Sequence, residues 1–115
     1  MPATYAHIIM ARYAAFSEEV SFYSDAKVAF ENAMEYVYMG AVSPDYPYLG
    51  LEKSWADRMH YESTGDIIIA GVNALRSIDN KDPFGSFGHC LSWMLGYTAH
   101  VVGDVTIHPV VMELV

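Results

Sequence analysis

The last third of the chain constrains the fold most. From Cys90 to Val111 an apolar run is interrupted by His100, Asp104 and His108. A helix that is apolar nearly all round must be covered on all sides, so it belongs at the centre of a bundle. A membrane span is the other home for such a run, but three polar groups facing lipid would be costly. The segment therefore reads as a core helix that carries a site. Asp82 as N-cap and Pro83 at the first helical position mark its start, and Pro109 is expected to stop it after about Ile107. Gly96, Ala99 and Gly103 would let other helices approach it closely.

The rest of the chain supplies those helices. Thr4 can cap a helix through His7 to about Phe16, and Ser24 can cap a second. Ala26, Ala29, Phe30, Ala33, Met34, Val37 and Ala41 keep helical spacing through that second segment, which predicts one continuous helix. Gly40, Ser43, Pro44, Asp45, Pro47 and Gly50 then demand a loop, and Trp55 to Tyr61 reads as a short helical turn. Ser63-Thr64-Gly65-Asp66 resembles a capping sequence for a third long helix to about Ile78, with Ile68, Val72 and Leu75 on one face. The β-branched run Ile67-Ile68-Ile69 could start a strand, but Ala70 to Arg76 continues the helical spacing. The expected architecture is an all-α, small helical bundle with a central apolar helix, forming a single domain over residues 1–115.

Composition narrows the function classes. The chain has 115 residues, 53% of them hydrophobic, which is enough to fill a core and excludes disorder. So apolar a chain needs a partner surface or a further segment to cover part of it. Net charge is −8 and the six basic residues are scattered, so nucleic acid is not a favoured partner. The single cysteine, Cys90, allows no intrachain disulfide, and its apolar neighbours predict a buried thiol. The N-terminus has no secretory-signal pattern, so the default expectation is a cytoplasmic chain.

His100-x-x-x-Asp104-x-x-x-His108 is the sharpest local pattern. Asp104 falls roughly 40° around the helix from His100 and His108 roughly 80°, so all three can share a face. A His–Asp pair four residues apart is common without a metal. Here, however, the polar groups lie in an apolar helix, where each unpartnered one costs a few kcal/mol. A metal ion would satisfy them together, and imidazole and carboxylate are both good zinc ligands. Three further candidates each have an ordinary explanation of their own. His7 can be a capped-helix histidine, Asp45 a turn aspartate, and His60 an aromatic-packed histidine. His89 lies about 16 Å by helix rise from His100, too far to share a metal, and reads as structural. Asp57 could orient His60 from three residues before it, or be a surface aspartate.

In their order along the chain, these pieces resemble the zinc-dependent phospholipase C family. The matching segments are Thr4-Tyr5-Ala6-His7-Ile8, Gly40-Ala41-Val42-Ser43-Pro44-Asp45, His60-Tyr61, and the run from Leu95 to Pro109 that contains His100, Gly103-Asp104 and His108. The last is the most specific, and the resemblance covers nearly the whole chain. It implies an all-α fold holding up to three zinc ions that hydrolyse a phosphodiester bond. By position, it implies His7 as a ligand of one zinc and Asp45, His60 and His100 as ligands of a second. Asp104 is then the carboxylate bridging the two, His108 the first ligand of a third, and Asp45 also the general base. The third zinc needs a further His and Glu beyond the His108 position. Glu113 does not match that spacing, so at most two zinc ions are supported and the chain reads as C-terminally shortened relative to the family.

The implied substrate is a phospholipid or another phosphodiester, with peripheral membrane contact. The remainder of a longer chain, or a second copy, would cover the apolar surface. Two other readings stay open on the residues: a zinc-dependent single-strand nuclease-like enzyme, and a non-catalytic helical metal-binding domain. Tyr46, Tyr48 and Trp55 read either as aromatic packing or as the lining of a substrate entrance.

Overall fold

A computed structural model describes residues 2–17, 24–45 and 64–114, with side chains for all of these but 2–4, 64 and 105–114. Five helices lie among the described residues: α1 (Pro2–Phe16), α2 (Ser24–Asn32), α3 (Met34–Val42), α4 (Thr64–Arg76) and α5 (Ser86–Leu114). The described residues contain no strand. The expected architecture holds: α5 is the central rod, and each of the other four helices packs on it. At 29 residues it is roughly 43 Å long by helix rise, close to the molecule's longest dimension of 45 Å. No helix among the described residues is long and apolar enough to cross a membrane.

The core forms where α1, α2 and α3 meet α5. Ala11, Ala15, Phe30, Val37 and Ala41 are buried there, with Leu91, Leu95 and Ala99 of α5 packed against them. Small side chains dominate, and they let the backbones come close. A β-carbon on Gly96 would lie 1.9 Å from the Val37 carbonyl oxygen, and one on Gly40 would lie 2.0 Å from that of Trp93. Neither position has room for any side chain. The two glycines face across one helix crossing, so α3 lies flush on α5 at the level from which the site is built.

Several expected boundaries differ. Gly40 is inside α3 rather than in the loop, and Ser43 to Asp45 continue as a 3-10 turn. The continuous second helix is broken at Ala33, whose φ of −134° and ψ of 43° leave the helical region. Asn32 just before it turns its amide back onto the Val28 carbonyl, 2.8 Å away, an alternative to the helical bond that short polar side chains readily offer. The helices on either side of the break, α2 and α3, each pack against α5.

A further correction concerns both ends of α5. The Asp82 carboxylate accepts a bond from the Phe84 amide at 3.0 Å, and its backbone carbonyl accepts from Gly85 at 3.1 Å. Asp82 thus caps a turn, and the α-helix starts three residues later than expected, at Ser86. Nor does Pro109 stop the helix, which continues to Leu114. A proline within a helix loses one backbone donor and pushes on the preceding turn, which kinks a helix more readily than it ends one packed along its length.

The third long helix forms as the spacing predicts and ends at Arg76, two residues early. Lys81 folds back onto the open carbonyls of Arg76 and Ile78 and satisfies that end. Of its expected face, Leu75 is buried but Val72 is 37% exposed. Cys90 is another correction: its thiol is exposed rather than buried. On a helix apolar all round, sequence neighbours do not show which way one position points.

Candidate metal centre

Four of the expected residues converge where α1, the end of α3 and α5 meet. His7 comes from the inner face of α1, Asp45 from the turn after α3, and His100 and Asp104 from successive turns of α5. All four are buried or nearly so; His100 is 1% exposed. The two imidazoles stack, ring centres 3.6 Å apart and planes within 18°. The Asp104 carboxylate spans them: Oδ1 is 3.0 Å from His7 Nε2, and Oδ2 is 3.2 Å from His100 Nε2. Asp45 Oδ1 stands further off, 3.9 Å from His100 Nε2.

The main chain fixes the orientation of His100. Its Nδ1 lies 2.6 Å from the Ala41 carbonyl oxygen, which can only accept, so Nδ1 donates. In the neutral ring Nε2 then carries a lone pair, and that lone pair faces two carboxylates. Lone pairs set against lone pairs are reconciled by a shared proton or a metal cation. A histidine whose far nitrogen is held by a backbone carbonyl is the usual outer-shell arrangement around zinc. Two ligands on one tetrahedral zinc, with bonds near 2.0 Å, stand about 3.3 Å apart. The two His–Asp104 distances match that edge. One oxygen each from Asp104 and one nitrogen each from His7 and His100 lie within 4.8 Å of one another.

His7 is set by packing. Its Nδ1 is buried with no hydrogen-bond partner among the described residues, so the ring meets polar groups through Nε2. A β-carbon at Gly103 would come within 3.1 Å of that Nδ1 and of Met10 Cε. The missing side chain there leaves room for the imidazole. Burial, reinforced by the neighbouring His100, holds the His7 ring below its ordinary titration range, while Asp104 and Asp45 pull the other way. The neutral form that can bind a metal is therefore favoured.

His60 lies outside the described residues, as do Asp57, Tyr46, Tyr48 and Trp55. His108 lies on α5 one turn beyond Asp104, with its side chain outside the described set. His89 is structural, as expected: its ring stacks on Tyr36 at 4.3 Å. Sequence reading missed one contributor, the Ala41 carbonyl. A main-chain acceptor leaves no signature in residue type. Tyr97, stacked on Trp93 one turn before His100, has a buried hydroxyl with no hydrogen-bond partner among the described residues. Burial raises its pKa.

A family model described as zinc dependent phospholipase C matches residues 6–113. No curated protein and no solved structure matches the chain.

Proposed function

The chain belongs to the zinc-dependent phospholipase C family, and from that premise we propose that it hydrolyses the phosphodiester of a phospholipid at a zinc centre drawn from His7, Asp45, His60, His100, Asp104 and His108. The observation that carries this reading is one carboxylate, Asp104, spanning two stacked imidazoles, with His100 anchored by the Ala41 carbonyl. Zinc, when bound, polarises a phosphoryl group and acidifies water near neutral pH.

The chain's own residues have separable tasks in this reading. Asp104 holds the two imidazoles in register through its two oxygens. The Ala41 carbonyl keeps the proton of His100 on Nδ1 and so keeps Nε2 turned to the centre. Asp45 Oδ1 lies 3.9 Å from His100 Nε2, and a carboxylate at the centre can take the proton of the attacking water as it adds to phosphorus. The P–O bond to the glycerol oxygen breaks as the bond from water forms, and the departing alkoxide takes up a proton to leave as diacylglycerol, with the phosphorylated head group as the other product. The surrounding apolar core keeps the centre poor in bulk water, where these charges act more strongly.

Release of phosphorylated head group from phosphatidylcholine by the zinc-loaded chain tests the proposal, with single-stranded DNA as the competing substrate. Head-group release that disappears on chelation is expected. Cleavage of DNA alone would assign the centre to a nuclease-like reaction, and zinc binding without either activity would leave a metal-binding domain.

A further inference from the structure

Helix α1 is sorted into two faces. His7, Ala11 and Ala15 point into the core. On the opposite side Tyr5, Ile9, Tyr13 and Phe16 are 70%, 47%, 60% and 45% exposed. At 100° per residue these four, with the exposed Arg12, fall within an arc of roughly 100°. Isolated exposed apolar residues need no explanation, but four large ones, three of them aromatic, on one face from Tyr5 to Phe16 do. A shallow depression runs along it, lined by Ile9, Arg12, Tyr13, Phe16 and Ser17.

The charge pattern narrows what the stripe meets. The chain carries 14 acidic residues against six basic ones, yet α1 has no Asp or Glu and its only charge is Arg12. Every other helix among the described residues carries at least one carboxylate. An acid-free, aromatic face with one guanidinium suits a layer that is apolar inside and phosphate-bearing at its rim. Tyrosine rings settle at that boundary, apolar body inward and hydroxyl in water.

We propose that the outer face of α1 docks the protein on a zwitterionic phospholipid surface. The inference rests on the phospholipid reading of the centre: the helix that presents the stripe also supplies His7 from its inner face. Docking would hold the metal centre about one helix diameter, roughly 10 Å, from the lipid. The stripe is then an anchor that keeps the centre near its substrate and takes no part in the chemistry.

The test compares the full chain with an Ile9→Ser/Phe16→Ser variant in sedimentation with phosphatidylcholine vesicles. Both positions are exposed, so helix content and zinc content should be unchanged in the variant. The wild-type chain is expected to co-sediment, and the variant to lose at least about tenfold in partitioning. Hydrolysis of a short-chain phosphatidylcholine below its micelle concentration should be equal in the two, which separates docking from the reaction. If neither hydrolyses it but partitioning still depends on the stripe, the docking inference stands and the proposed activity falls. Equal partitioning of both proteins would overturn the docking inference. So would no vesicle binding together with a wild-type dimer that the variant does not form, which would assign the stripe to self-association.

Discussion

Burial holds the His7 imidazole below its ordinary titration range, and the sign of that shift sets a pH dependence. The unfolded chain takes up the His7 proton near pH 6.5, while the folded chain resists it to lower pH. This contribution to stability is therefore fully present above about pH 6.5 and is lost as pH falls through the folded value. The melting temperature of the metal-free protein should drop on acidification below that point, and His7→Asn should flatten the drop. A profile unchanged by the substitution would contradict the burial argument. Gly103 offers a second test at this scale. Its β-carbon would press on the His7 ring at 3.1–3.2 Å, so the ring must shift by a few tenths of an ångström in Gly103→Ala. Zinc affinity should fall by about 10–100-fold, the range for losing an outer-shell support, with helix content intact by circular dichroism. Much of the residue pattern was readable beforehand. The spacing from His100 to Asp104 placed both on one helix face, and polar groups in an apolar run pointed to a shared partner. The stacking of His7 on His100 was not readable, because it depends on the angle at which α1 crosses α5.

Among the elements, the crossing of α3 and α5 fixes how the site is assembled. It brings the Ala41 carbonyl to His100, and it depends on Gly40 and Gly96 having no side chains. Gly96→Ala places a methyl 1.9 Å from a backbone oxygen that cannot swing aside. The cost should reach or exceed the upper end of the roughly 1–3 kcal/mol typical of overpacking, read as a fall in the denaturant midpoint. Gly65→Ala in α4 is the control: nothing lies within 4 Å of its new methyl, so stability should hold or rise slightly. Helical periodicity revealed each of these elements, and the small residues of α5 marked it as the one others approach. Boundaries were harder to read. Propensity alone did not expose the break at Ala33, where a side-chain bond from Asn32 competes with the helix. Capping patterns put the start of α5 at Pro83, but Asp82 uses its cap on a preceding turn. The direction of Cys90 depended on how α4 packs, which periodicity does not contain.

For the whole molecule, a polar centre is set inside a bundle whose core is otherwise built from alanine, valine, leucine, methionine and aromatic side chains. Burying two histidines and two aspartates there costs stability unless a cation compensates them, so the metal and the fold are expected to be linked. The all-α architecture and the family were both legible from order and spacing along the chain. The number of metals was not, since it depends on His60 and His108, which sequence order alone does not bring to the centre. The most direct test is the zinc content of the purified chain by elemental analysis, beside that of Asp104→Ala. About two zinc ions per chain, falling sharply in the variant, are expected if Asp104 bridges the centre. Absence of zinc from the wild-type protein after exposure to the metal, or equal zinc in both proteins, would contradict it.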